Sequence, residues 1–183
     1  ALNLFLADIY HKQNILKDDL IPEIQVSSHE AYQPVMLNHP LNGNIYSQIS
    51  GIDIVRNGKG EFFVLEDNLR TPSGVSYMLE SRKMSHKLMP DLCNQHVAGI
   101  EQYPQLLREI LAENSTANAP IIVVLTPGRY NSAYYEHAFL AREMGVPLVT
   151  SRDLLVENDK VYVKTVRGRR QVDVIYRRLA DSF

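Results

Sequence analysis

Only one cysteine, Cys93, occurs among the 183 residues, so no disulfide can form within the chain. It lies in Leu92-Cys93-Asn94 with no second thiol near it. That setting predicts a small buried hydrophobe and fits a reducing, cytoplasmic compartment. No apolar run approaches the length that spans a bilayer and no secretory signal pattern is visible, so no membrane partner is expected. Charge of one sign is lacking as well. The formal net charge is −2, unlike the basic footprint of a nucleic-acid binder, and no nucleic-acid partner is expected. Arg167, Arg169, Arg170, Arg177 and Arg178 are a local exception and predict a basic surface near the end. There is no Gly-x-Ser-x-Gly element and no Cys/His pairing to support nucleophilic catalysis. Internal repeats and low-complexity tracts are absent too.

What is there suits a folded domain. The length allows one good-sized domain or two small lobes, and 45% hydrophobic with 22% charged residues is ordinary for a globular protein. The chain opens inside a helical pattern and stops just after a strand-like run, so both ends read as cut from something longer, with any targeting signal outside. Residues 2–17 predict an amphipathic helix, Ile24 to Val26 a short strand, and 27–43 a loop with a short helix. Residues 44–55 and 61–67 predict a hairpin turning at Asn57-Gly58. Residues 74–89 predict a helix that Pro90 ends, with Val75, Met78, Leu79, Met84 and Leu88 as core positions. Tyr103-Pro104 opens another helix, and the polar run Glu113 to Ala119 reads as a linker. Beyond it, Ile121 to Leu125 predicts a buried parallel strand, Asn131-Ser132 a helix start, Gly145 its stop, and Val146 to Val149 a second strand: a βαβ unit. A hairpin about Glu157-Asn158-Asp159 and a buried strand over Val172 to Tyr176 follow. The expected fold is mixed α/β, with one lobe over 1–117 and a Rossmann-like lobe over 118–183.

The most informative segment is Phe63-Val64-Leu65-Glu66-Asp67-Asn68-Leu69-Arg70-Thr71-Pro72-Ser73-Gly74. Glu66 and Asn68 are two apart and share one face of a strand. Asp53 precedes Glu66 by thirteen residues, the distance that two strands and a tight turn require. Two carboxylates and an amide oxygen on one sheet face are hard donors that suit Mg²⁺ with its waters and phosphates. A solvated acidic turn is the plain alternative. Arg70 is a fixed cation able to grip phosphate or carboxylate, or to pair with Glu66 or Asp67. Ser73 and Gly74 precede a helix, where backbone N–H groups favour an anion or simply a cap. Tyr130, Asn131 and Ser132 top a strand and open a helix, the usual ligand crevice of α/β sheets, though capping explains Ser132 equally well. Glu136 and His137 face different sides of their helix, so joint metal binding is not expected, and His137 is placed at a lobe boundary. His86 and His96 are read as structural or surface residues.

The hairpin, the Glu66 to Gly74 motif continuing through Tyr77 and Glu80, the stretch Leu125 to His137, Gln171 to Arg178 and the opening Ala1 to Tyr10 together resemble the circularly permuted ATP-grasp family, type 2, which is similar to glutathionylspermidine synthases. The resemblance covers nearly the whole chain. It implies ATP-dependent ligation of a small-molecule or peptide carboxylate to an amine through an acyl phosphate. It also implies that Asp53, Glu66 and Asn68 hold magnesium on ATP, with Arg70 catalytic, Arg70, Ser73 and Gly74 at the nucleotide, and Ser73, Gly74, Tyr130, Asn131 and Ser132 at substrate. The lobe that covers the phosphates and adenine would follow in the permuted order. The chain is therefore expected to carry the metal-bearing half of the grasp domain and the adjoining pre-grasp lobe, and to bind Mg-ATP weakly alone. A non-catalytic peptide- or partner-binding module, or an oligomer with a partner subunit, is the other expectation.

Overall fold

A computed structural model describes residues 1–93 and 97–180, so His96 lies outside the described residues. By contacts the chain forms two compact units, Ala1–Leu69 and Arg70–Phe183. The expected boundary at 117/118 falls inside the second unit.

The first unit has little core. Among its described residues Ile9 is the buried apolar side chain. The expected helix over 2–17 is broken: α1 covers Leu2–Tyr10 and α2 covers Asn14–Lys17. Gln13 adopts φ 55° between them, and Asp8 accepts the N–H groups of Asn14 and Ile15 at 3.1 and 2.9 Å. This carboxylate satisfies the donors that a fresh helix start exposes, which stabilises the break. The expected strand at Ile24 is a helix, α3, over Glu23–Ser27 behind Pro22. Proline fixes the entry dihedral of a helix, and that local preference outweighed a two-residue alternation. Tyr10 stacks on Tyr32 and Tyr46, and Asn3 Oδ1 accepts from the N–H groups of Tyr46 and Ser47. Aromatic and amide contacts thus replace an aliphatic core.

The hairpin joins β1, Gly51–Arg56, to β2, Phe62–Asn68, in antiparallel register. The first strand starts later than the expected residue 44. Its turn also differs from a two-residue Asn-Gly turn. Asn57 and Gly58 keep negative φ, and Gly60 takes φ 85°. Asn57 Oδ1 accepts from Lys59 and Glu61 N–H, so the longer loop is held by the asparagine side chain and closed by a glycine, as a type I turn with a bulge requires.

The second unit has the core. The helices α4 (Val75–Leu88), α5 (Pro90–Cys93), α6 (Tyr103–Ala112) and α7 (Tyr134–Met144) accompany two sheets. Strands β3 (Ile122–Leu125), β4 (Leu148–Val149) and β8 (Val174–Arg177) form one parallel sheet in the order β4-β3-β8. Strands β5 (Leu154–Glu157), β6 (Lys160–Thr165) and β7 (Gly168–Gln171) form an antiparallel meander. The β5–β6 turn places Asn158 and Asp159 at φ 51° and 59°, the left-handed pair that a two-residue hairpin needs. Val123, Val149, Val163 and Val172 pack together as one cluster. Alternation along β3 turns Ile122 and Val124 the other way, and α7 packs on β3 and β4 while α6 packs on α7 and β8. The mixed α/β class is as expected.

Three expectations for burial differ. Of the five core positions proposed on α4 only Leu79 is buried, while Met78, Met84 and Leu88 are exposed. Helical spacing marks an apolar stripe, not how much of it a neighbour covers. Cys93 is half-buried rather than buried. Arg178 is 3% exposed and so leaves the predicted basic surface. No helix among the described residues is long and apolar enough to cross a membrane.

Candidate functional site

Two groups of residues stand out, one in each unit. In the hairpin, Asp53 lies directly opposite Glu66, and Gly51 opposite Asn68. Directly opposed residues share a face, as do residues two apart on one strand. Asp53, Glu66 and Asn68 therefore project from the same side, and Asp67, opposite Ile52, projects from the other. The ladder slips between Asp53 and Ile54, leaving Leu65 as the extra residue beside Glu66. Such a bulge bends a strand and re-aims its neighbours, and bulges are common next to working sites. Asn68 Nδ2 donates to Glu66 Oε1 at 3.0 Å, which fixes the amide so that its oxygen is turned away from that bond. All three side chains are exposed. Hard oxygen donors on an open face match what a hydrated Mg²⁺ takes from protein, and the donor set fits that ion.

In the second unit the Pro72-Ser73-Gly74 turn leads into α4. Gly74 takes φ 108°, a backbone conformation that side chains disfavour. Its N–H donates to Glu136 Oε2 at 2.7 Å, and the same oxygen accepts from the N–H and hydroxyl of Ser76 at 3.2 and 3.0 Å. The N–H groups at the start of α4, read as meeting an anion or making a cap, are thus met by the chain's own carboxylate, brought from α7. The other oxygen, Glu136 Oε1, accepts from Arg178 Nη2 at 2.8 Å, in an ion pair whose side chains are each 1% exposed. Arg178 Nη1 donates to the Pro72 carbonyl at 2.7 Å. One buried pair therefore grips both sides of the turn. Arg178 Nε has no hydrogen-bond partner among the described residues, so the arginine is buried at a cost that its other bonds must offset. Ser73 is exposed on the turn thus held, and Arg70 is exposed at the start of the unit.

His137 follows Glu136 and turns elsewhere, as expected. It is 2% exposed, and its Nδ1 lies 2.8 Å from Thr126 Oγ1, which also accepts from Gly128 N–H. Burial, and then the charge of Arg178, lower its pKa from 6.5 to about 4, against the opposing pull of Glu136. The unfolded chain binds the extra proton first as pH falls, so this histidine's contribution is complete above pH 6.5 and is lost between 6.5 and about 4. We expect urea titrations to show stability falling across that window, and the fall to be smaller in His137→Gln. An equal fall in both proteins would show that other groups carry it.

The predicted crevice residues divide. Tyr130 is 89% exposed and lines a cleft at the carboxyl ends of β3 and β4. Asn131 serves the backbone, since its Oδ1 accepts from Ala133 N–H and its carbonyl from Tyr134 N–H. Ser132 is exposed and outside the cleft lining. Arg129, Thr150 and Arg152 line it instead. Sequence reading missed these, and also the Glu136–Arg178 pair. The partners of Glu136 lie 62 residues before it and 42 after, beyond any local pattern. The first-turn position of Glu136 on α7 was the one available hint.

Residues 1–183 match the model of the family described as circularly permuted ATP-grasp type 2. An uncharacterized protein of Synechocystis is 45% identical over all of this chain, which covers 39% of that protein. An uncharacterized protein of Mycobacterium tuberculosis is also 45% identical over the whole chain, which covers 34% of it. A Frankia alni protein named "Putative glutamate--cysteine ligase 2-3" is 39% identical over the whole chain, which covers 22% of it. The chain thus spans about two fifths or less of the length of these relatives.

Proposed function

We propose, since this chain belongs to the circularly permuted ATP-grasp type 2 family, that it is the metal- and substrate-bearing part of an ATP-dependent carboxylate–amine ligase. The observation that carries this reading is the placement of Asp53, Glu66 and Asn68 on one exposed face across a bulged ladder. In this reading those three residues hold Mg²⁺, which when bound neutralises charge on the phosphoryl group in transfer. Arg70 adds a fixed cation that a bidentate phosphate or carboxylate contact can use. The turn through Ser73 and Gly74 meets the substrate, and the knot of Glu136 and Arg178 keeps that turn in one conformation. Tyr130, with Asn131 and Ser132 shaping its loop, belongs to the substrate side of the unit. The three-stranded parallel sheet is read as the Rossmann-like pre-grasp lobe.

The reaction follows from the positions that such an enzyme must serve. A substrate carboxylate oxygen attacks the γ-phosphorus and ADP leaves. The neutral amine then attacks the acyl carbon of the acyl phosphate formed, the C–N bond forms as the C–O bond to phosphate breaks, and the amine gives up one proton to the departing phosphate or to solvent. The protein's share is alignment and charge stabilisation, the means by which phosphoryl transfer is catalysed generally. A relative named as a glutamate–cysteine ligase makes an amino acid carboxylate and an amino acid amine the first pair to try.

The metal face is testable in the chain itself. Mn²⁺, a paramagnetic stand-in for Mg²⁺, should broaden the amide resonances of residues 53, 66 and 68 first, and Mg²⁺ should reverse it. Asp53→Asn should abolish the selective broadening. Broadening spread evenly over the acidic surface, or unchanged in Asp53→Asn, would refute the metal assignment. Mg-ATP itself is expected to bind this chain weakly, because the reading assigns the cover over base and phosphates to other parts of the longer relatives.

A further inference from the structure

The cleft at the carboxyl end of the parallel sheet has a composition of its own. It holds about 550 Å³ and is lined by Gly128, Arg129 and Tyr130 from the loop after β3, by Tyr134 at the start of α7, and by Thr150 and Arg152 from the segment after β4. Ligands of open α/β sheets bind at this edge, and the volume is that of a small-molecule site. Two arginines, Arg129 and Arg152, line it from separate loops, and no acidic residue lines it. Arg129 is positioned by Tyr130: its Nη2 donates to the phenol oxygen at 2.9 Å, with the guanidinium carbon 5.0 Å from the ring centroid. Arg152 sits in a loop closed on itself. Asp153 Oδ2 accepts from Thr150 N–H and Oγ1 at 2.8 and 2.7 Å, and Lys164 Nζ donates to the Arg152 carbonyl at 2.7 Å. Asp153, the acid next to Arg152 in sequence, is therefore turned inward onto Thr150.

The donors that remain decide which anion fits. Phosphate cradles are built from runs of free backbone N–H groups. Here the N–H groups of Gly128, Asn131, Ala133, Tyr134, Thr150 and Asp153 are already spent within their own loops. No run of more than two unspent N–H groups remains in these loops, so the guanidinium forks of Arg129 and Arg152 are the charged donors offered to a ligand, and they match the planar, bidentate carboxylate. The opposite, amino edge of the sheet also has a cleft with two arginines, Arg108 and Arg170, but Arg108 there donates to the Met144 carbonyl.

We infer that the cleft between the β3 and β4 loops is a carboxylate-binding site, in which Arg129 and Arg152 grip a free carboxylate of a small organic acid or amino acid. Within the ligase reading, on which only this part rests, that group is a substrate carboxylate that is held and does not react. It sets which acid is accepted, because an acid without a second carboxylate leaves two cations unmatched.

Calorimetric and NMR titration of the protein with L-glutamate, without nucleotide, tests the site. Saturable binding in the millimolar range is expected, with resonance changes confined to the loops at 128–134 and 150–153. Arg129→Gln and Arg152→Gln should each weaken it about tenfold or more, the loss of a charge-assisted contact, while Arg142→Gln, exposed on α7 outside the cleft, should not. The diamide of glutamic acid, which has no carboxylate, should not bind, and inorganic phosphate should not displace glutamate at equal concentration. Absence of saturable binding, unchanged affinity in both cleft variants, or displacement by phosphate would each overturn the inference. The titration involves no ATP, so binding of glutamate here, with no ligase turnover in a protein of the relatives' full length, would refute the ligase reading and leave the site standing.

Discussion

Arg178→Met should destabilise the protein by about 3–5 kcal/mol, the loss seen when one partner of a buried ion pair is removed. Arg178 and Glu136 are each 1% exposed in their side chains, so the carboxylate left behind has no solvent to turn to. Glu136→Leu should cost at least as much. It strands the Gly74 and Ser76 donors as well as the guanidinium, and each unmet buried donor costs about 1–3 kcal/mol. The double variant should be less destabilised than the sum, because neither charge remains. It should not return to the parent's stability, because the turn's N–H groups still lack their acceptor. Arg178→Lys should recover only part, since one ammonium is a point charge and cannot reproduce the fork that reaches both Pro72 and Glu136. Urea unfolding midpoints measure all four. Single substitutions within about 0.5 kcal/mol of the parent would mean that the pair behaves like an exposed one.

The Glu136–Arg178 pair was not legible in the chain alone, and the reason is distance. The shared face of Asp53, Glu66 and Asn68 was legible because its geometry is local: Asn57 and Gly58 mark a turn, and strand period two places Glu66 with Asn68. Even there the turn formed through Gly60, and the bulge at Leu65 was not visible. The β3–α7–β4 unit was legible from a β-branched run, a glycine stop and a second apolar run. The failures share a cause. The first helix broke because Asp8, an exposed acid by pattern, folds back onto Asn14 and Ile15. The α4 stripe was read as core, but period alone does not count neighbours. At the turn before α4, sequence identified free N–H groups correctly and left them to an anion or a local cap, whereas Glu136 supplies the acceptor from 62 residues away. Arg178 was counted with a basic surface because four other arginines lie near it in sequence. Only tertiary contact separates it from them.

Glu66→Gln and Asn68→Ala should each lower the proposed ligase turnover about a hundredfold or more while leaving stability within about 0.5 kcal/mol of the parent. Both residues are exposed, so neither packs a core, and their proposed work lies in the charge and oxygen they offer a metal. The effect should fall on kcat and kcat/KM together, as expected when an interaction made in the transition state is lost. Raised Mg²⁺ should rescue Asn68→Ala more than Glu66→Gln, since the first removes a neutral donor and the second a charge. Asp67→Asn supplies the control. Asp67 is the neighbour of Glu66 and carries the same charge, but it pairs with Ile52 on the opposite face of the hairpin. Its neutralisation should leave turnover nearly unchanged. ADP release coupled to amide formation, followed for a carboxylate and amine pair in a protein of the relatives' full length, measures each variant. Near-full turnover in Glu66→Gln, or an equal loss in Asp67→Asn, would take the hairpin face out of the mechanism. The held turn at Pro72 to Gly74, with Arg70 before it, would then be the remaining place for the chemistry.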